Sequence, residues 1–216
     1  MKKLFIVANW KSHKTSPEAL SWLHESVGQD AKEVIICPPF TLLAQMHWYI
    51  GENHLSLKLG AQNVSPFEDG AYTGEVSAKQ IKEFGEYVII GHSERRNYFL
   101  ETDELVAQKV RLALAQGLTP IFCVQGKETA IPEGVTIVAY EPVEAIGTGH
   151  PDTPENANEV ASSIKAAHSG VTSVLYGGSV SPENVHNFTS MESIDGVLVG
   201  GASLDAATFT QLITNA

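Results

Sequence analysis

The sequence predicts a (β/α)8 barrel: an α/β protein in one domain, residues 1–216, with the fifth helix missing or vestigial. Three observations predict it. Short, nearly continuous apolar runs recur along the chain, as expected of parallel strands covered on both faces. Stretches with helix-start chemistry separate them. Polar and titratable residues stand where the runs end, and in such barrels chemistry gathers at the carboxyl ends of the strands.

Leu4–Asn9 is the first strand, and Lys11 follows it closely. Ser16-Pro17-Glu18 then supplies an N-cap, a proline at the first helical position and an acid on the positive helix end. Val34–Cys37 and Leu57–Ala61 are the second and third strands. A long loop, Gln62–Glu75, leads to Ser77-Ala78-Lys79-Gln80, which reads as a capping box. Tyr87–Gly91 is the fourth strand; it delivers His92 to the rim, with Ser93-Glu94-Arg95 as a helix start behind it. Thr119–Val124, Thr136–Tyr140, Ser173–Tyr176 and Gly196–Val199 complete the set. Thr153-Pro154-Glu155 and Ser181-Pro182-Glu183 repeat the helix-start signal between them.

One interval breaks the rhythm. Between Val124 and Thr136 lie roughly a dozen residues, including Gly126, Pro132 and Gly134, which is about the minimum for a parallel crossover and leaves no room for a full helix. An uncovered stripe on the outer face of the fifth and sixth strands is expected, crossed by Gln125–Gly134 as a loop or single turn, or covered by a second subunit. The segment from Gly149 to Tyr176 also looks trimmed.

Composition excludes several classes. A formal net charge of −11 argues against nucleic acid or an anionic membrane as partner. The apolar core of the N-terminus ends at Asn9, Trp10 and Lys11, too short for a secretion signal, and no run has the length of a membrane span. The two cysteines, Cys37 and Cys123, each sit in an apolar run and are expected as free buried thiols in a reducing, cytoplasmic compartment. No metal motif and no nucleotide fingerprint occurs, so no metal and no cofactor is expected.

The chemistry concentrates around Glu141. An apolar strand ends in this carboxylate, and Pro142 and a glycine-bearing loop, Val143-Glu144-Ala145-Ile146-Gly147-Thr148-Gly149, follow. A general base needs such a fixed position beside a jointed loop. Reading the other strand ends adds Asn9, Lys11 and His92, then Gly177-Gly178-Ser179 and Gly200-Gly201. Glycines there let a backbone approach a ligand closely, and N–H groups at the following helix starts cradle phosphate. The loops after the seventh and eighth strands are the usual phosphate site of such barrels.

These residues lie in longer motifs. Asn9-Trp10-Lys11, Gly60-Ala61-Gln62-Asn63, Gly70–Ser77, Gly91-His92-Ser93-Glu94-Arg95-Arg96, Ala139–Val143, Ala145–Gly149, Tyr176–Val180 and Leu198–Leu204 resemble the triosephosphate isomerase family, in the family's order. The resemblance implies an aldose-ketose isomerase, homodimeric and cytoplasmic, of glycolysis and gluconeogenesis. It interconverts D-glyceraldehyde 3-phosphate and dihydroxyacetone phosphate through an enediolate. Glu141 is then the base, His92 the neutral electrophile, Lys11 the positive charge and Asn9 an orienting group, with Glu94 a buried acid near Lys11. Pro142 to Thr148 becomes the lid, and Gly147 closes on phosphate with Ser179, Gly200 and Gly201. Thr73, at the tip of Gln62–Glu75, would pack near the neighbour's Asn9 and Lys11, and Glu75 would pair with the neighbour's Arg95. The chain departs from the family at Pro142-Val143-Glu144, where Pro-x-Trp is usual, at Val124-Gln125-Gly126, where a Gly-Glu is usual, and in the short fifth connection. Other phosphate-binding barrels, such as sugar-phosphate isomerases of histidine or tryptophan biosynthesis, share the glycine-rich phosphate end but not Asn9-x-Lys11 with Gly91-His92-Ser93-Glu94. A non-catalytic descendant would be expected to lack Glu141, His92 or Lys11.

Overall fold

In the computed structural model, residues 3–25, 32–142 and 151–216 are described. Strands β1 (Leu4–Asn9), β2 (Lys32–Cys37), β3 (Lys58–Ala61), β4 (Tyr87–Ile90), β5 (Thr119–Val124), β6 (Ile137–Tyr140), β7 (Ser173–Tyr176) and β8 (Gly196–Val199) form a closed, all-parallel barrel in sequence order. Closure is made by β1 against β8, with Phe5 opposite Gly196 and Ala8 opposite Val199. The helices around it are α1 (Ser16–Glu25), α2 (Phe40–Glu52), α3 (Ala78–Lys82), α4 (Ser93–Tyr98), α5 (Asp103–Ala115), α6 (Pro154–Ala167), α7 (Val185–Thr189) and α8 (Ala206–Asn215). Two of them, α4 and α5, both lie between β4 and β5, parted by Leu100 in a left-handed conformation (φ 56°).

Side chains alternate along each strand and so build two cores. Phe5, Val7, Ile35, Cys37, Tyr87, Ile89, Ile121, Cys123, Ile137, Ala139, Leu175 and Leu198 fill the barrel interior. Their neighbours, among them Ile6, Ile36, Val88, Phe122, Val138, Val174 and Val197, face outward into a larger core shared with the helices. Where β8 meets β1 the backbones leave no room for a side chain. A Cβ on Gly196, whose φ is +154°, would stand 2.0 Å from the Phe5 carbonyl oxygen.

Helix starts follow the sequence signals with two exceptions. Ser77 and Gln80 form the expected capping box on α3, and Thr153 caps α6 with Pro154 in its first turn. At α1 the helix begins one residue earlier than expected. The N–H and hydroxyl of Thr15 both donate to Glu18 Oε2, at 2.7 and 2.8 Å, and this satisfies Thr15 as the residue outside the helix in place of Ser16. Ser181-Pro182-Glu183 opens a turn rather than a helix. Asn184 Oδ1 accepts the Ser181 N–H at 2.8 Å, and the short α7 starts only at Val185.

No helix joins β5 to β6. The connection is two turns, held by Thr129 N–H donating to Gly126 O and Val135 N–H to Pro132 O. The strands still pair in register from Ile121 opposite Ile137 to Val124 opposite Tyr140. The expected open stripe is covered: Phe122, Val124 and Val138 are buried, and Ile131 of the connection and Leu114 of α5 pack on the same core. Leu114 is brought there by α5, which packs against both β4 and β5.

Candidate active site

The carboxyl ends of the strands converge on an open cleft of about 350 Å³ whose lining includes Asn9, Lys11, His92, Glu141, Gly177, Ser179, Asn184, Gly200 and Gly201. The strand register brings together residues far apart in sequence, and all the described residues expected at the catalytic and phosphate ends are among them except Glu94. Glu94 stands in the adjoining cleft with Arg95.

Glu141 follows β6, and its N–H donates to Val124 O at 2.8 Å, so the strand ladder fixes its backbone. Its side chain is 1% exposed. Oε1 lies 2.8 Å from His92 Nε2, and Oε2 accepts the backbone N–H of Ser93 at 2.9 Å. Gly177 permits this placement, since a Cβ there would lie 3.1 Å from Glu141 Cγ. Beneath the carboxylate, the Cys123 thiol is pushed well above its usual pKa, by burial first and then by facing Glu141.

His92 is the N-cap of α4, and its Nδ1 accepts the Glu94 N–H at 3.2 Å. An Nδ1 that accepts leaves the ring hydrogen on Nε2, aimed at Glu141.

Lys11 has a left-handed backbone (φ 51°). Its ammonium meets Glu94 Oε1 at 2.5 Å and its N–H donates to Asn9 Oδ1 at 3.1 Å. The Lys11 stem passes over Gly200, where a Cβ would stand 3.4 Å from Lys11 Cε. Glu94 was expected buried; its side chain is 39% exposed in the single chain, because α4 projects it past the rim toward the adjoining cleft.

At the other end of the cleft, Gly178 is obligatory, since a Cβ would fall 2.2 Å from the Tyr176 hydroxyl. Tyr176 stacks on Phe188 at 3.9 Å, and its hydroxyl accepts the Asp152 N–H at 2.8 Å. Tyr140 donates to Asp152 Oδ2 at 3.3 Å. Burial, with Asp152 beside it, pushes the Tyr140 phenol up to about 12; burial does the same for Tyr176. Asn184 Nδ2 reaches Ser179 O at 3.3 Å and shapes the loop after β7. Nothing in the sequence singled out Asn184. The part of Ser93 is also new, for it acts through its backbone, which no side-chain pattern reveals.

Of the expected lid, Pro142 is described and buried. Val143, Glu144, Ala145, Ile146, Gly147 and Thr148 lie outside the described residues. Thr73 and Glu75 are exposed on the loop after β3. Arg95, expected to meet a neighbour's Glu75, binds Glu101 of its own chain, with Nε 2.5 Å from Oε1. The substitution of Gln125-Gly126 for the family's Gly-Glu coincides with two buried donors, Arg96 Nη2 and Gln125 Nε2, that have no partner among the described residues.

The sequence matches the family model described as Triosephosphate isomerase over residues 4–136 and 132–216. The triosephosphate isomerase of Dictyoglomus thermophilum is 42% identical over 252 residues, covering 99% of both chains, and that of Caldanaerobacter subterraneus subsp. tengcongensis is 42% identical over 249 with the same coverage. A crystal structure of triosephosphate isomerase from Bartonella henselae superposes with a TM-score of 0.88 at 34% identity, covering 99% of this chain and 98% of that one. The 252-residue alignment exceeds the 216 residues of the chain, so the relative carries internal stretches absent here. The two segments matched by the family model meet at residues 132–136, inside the helix-free connection between β5 and β6. The chain belongs to the triosephosphate isomerase family.

Proposed function

We propose that this cleft carries the family's reaction, the interconversion of D-glyceraldehyde 3-phosphate and dihydroxyacetone phosphate, with Glu141 as the base. The observation that carries the reading is the contact of Glu141 with His92 in a cleft that also holds Lys11 and the glycine-rich ends of β7 and β8. A substrate carbonyl entering the cleft takes the Nε2–H of His92 and frees the carboxylate. Glu141 then removes a proton from C1 of dihydroxyacetone phosphate, and the electron pair moves to the C2 oxygen. His92 Nε2–H and the Lys11 ammonium stabilise the enediolate. His92 gives a proton to the C2 oxygen and takes the hydroxyl proton from the C1 oxygen, and return of the carbon-bound proton to C2 leaves the aldehyde at C1. Triosephosphate isomerase is itself the standard example of this division of labour between a carboxylate base and a neutral histidine.

Asn9 holds Lys11 and orients the substrate, and Glu94 balances the ammonium. The N–H groups of Ser179, Gly200 and Gly201 receive the phosphate, as does that of Gly147 in the expected lid. Water exclusion matters because an open enediolate eliminates phosphate. A coupled assay in both directions tests the reading, and a purified chain inert in it sinks the assignment.

The same proposal makes the working unit a homodimer of single-domain chains. The loop Gln62–Glu75 is tied internally by Ser65 N–H to Val76 O, by Ser77 to Asp69, and by Phe67 stacked on Tyr72 at 4.1 Å. It nevertheless exposes Phe67 and Tyr72. Beside the catalytic cleft lies a second one, about 320 Å³, lined by Asn9, Lys11, Phe40, Arg95 and Phe99, which suits such a loop from a second copy. A sedimentation mass of one chain at micromolar concentration with full activity would overturn it. The two buried free thiols agree with a cytoplasmic location, and no helix among the described residues is long and apolar enough to cross a membrane.

A further inference from the structure

Lys11 occupies a backbone region that residues with a Cβ rarely adopt (φ 51°). Something must hold it there, and both polar groups of the residue are held by side chains. Asn9 Oδ1 accepts its N–H at 3.1 Å, and Gln62 Nε2 donates to its carbonyl at 2.8 Å. The same Gln62 nitrogen donates to Cys37 O at 2.9 Å, at the end of β2. With carbonyl oxygens on both sides, the amide can face only one way, because a flipped amide would set oxygen against oxygen. Both N–H bonds of Gln62 are therefore spent on the backbone. Cys37 O also accepts the N–H of Trp10 at 3.1 Å, so the peptide leading into Lys11 is fixed to the same strand end.

We propose that Gln62 is a positioning residue for the reaction: it locks the left-handed backbone of Lys11, and this directs the ammonium into the cleft. The inference rests on the reading of Lys11 as the charge that stabilises the enediolate and phosphate. The Cα–Cβ direction follows from φ and ψ, and here it carries the stem across Gly200 and the ammonium to within 2.5 Å of Glu94 Oε1. When Gln62 loses its donors, Lys11 relaxes to an ordinary negative φ and its side chain swings off the rim. Gln62 does not line the catalytic cleft, so its effect on the reaction passes through Lys11.

The test is a double-mutant cycle on kcat/KM and on the Kd for glycerol 3-phosphate, a stable phosphate monoester, with melting temperature measured beside them. Gln62→Met keeps length and removes both donors. It should lower kcat/KM at least tenfold, with KM and Kd both raised. In a Lys11→Met background the same change should alter Kd less than twofold, since no ammonium remains to misplace. Gln62→Asn, which keeps the amide but sets it back by one methylene, should melt close to the parent and still weaken Kd. An equal loss in both backgrounds would mean a merely structural strut and overturn the proposal. So would parental kcat/KM and Kd in folded Gln62→Met or Gln62→Asn. Retained activity in Lys11→Met alone would instead overturn the assignment of Lys11.

Discussion

His92 Nε2 and Glu141 Oε1 lie 2.8 Å apart, so the proposed electrophile and base are bonded to each other. With Ser93 N–H on its other oxygen, Glu141 is parked rather than poised. Substrate must displace this pair, and the proton His92 donates to Glu141 is the one it offers to the substrate oxygens.

Glu141→Asp keeps the charge but withdraws it by one methylene, about 1 Å, and a misplacement of that size costs on the order of a hundredfold in rate. The loss should fall mainly in kcat. Steady-state kinetics in both directions check it, and parental turnover would show that another group takes the proton.

Tyr140 and Tyr176 hold their protons up to about 12, against an ordinary value of 10.0. A phenol raised by folding contributes stability that is complete below about pH 10 and lost as pH rises through about 12. Stability should therefore fall across that window. Tyr140→Phe should flatten the fall and remove one late step from the tyrosinate absorbance titration. An unchanged alkaline limb in Tyr140→Phe would contradict it.

Burial pushes both cysteine thiols up, Cys37 by burial alone and Cys123 by burial and Glu141 together. The nucleophile is the thiolate, so the native chain should resist a disulfide reagent at pH 8. Both thiols should react once denaturant opens the barrel. Prompt reaction of either in the native protein would refute this.

Ile131, with the buried Val135, is an apolar contact from the helix-free connection to the core over β5 and β6. Ile131→Asn should cost about 1 kcal/mol of burial, since the side chain is only half-buried. A chain of this size then melts about 2–4 °C lower. Because Ile131 lies on the outer wall, kcat should be unchanged, and a parental melting temperature would mean that α5 and Val135 cover the strands without it.

Most of the architecture was legible because it is encoded in local periodicity. Four strands, Leu4–Asn9, Thr119–Val124, Ser173–Tyr176 and Gly196–Val199, have the expected bounds, and the rest differ by one or two residues. The rim residues were legible for the same reason, since strand ends are where polar groups replace apolar runs. What escaped depends on long-range or backbone detail. Thr15 displaces Ser16 because Glu18 reaches back to it. Ser181-Pro182-Glu183 is diverted into a turn by Asn184. Gln62 lay inside a recognised motif, yet its role needs the left-handed φ of Lys11, which no composition or spacing announces. The depth of Glu94 was not legible, because a rim helix rather than a strand sets it and its side chain lines the cleft beside Arg95.

The connection of roughly a dozen residues from β5 to β6 also bears on how the barrel assembles. It is the shortest link between successive strands, and the entropy lost in closing a loop falls by about 0.6 kcal/mol for each halving of its length. Pairing Ile121 with Ile137 therefore restrains less chain than any other strand pair, and it has no intervening helix to wait for. These two strands are expected to pair first. A deletion that spares the static structure would then be recorded in the order of events, with β5 and β6 protected from hydrogen exchange before the strands on either side.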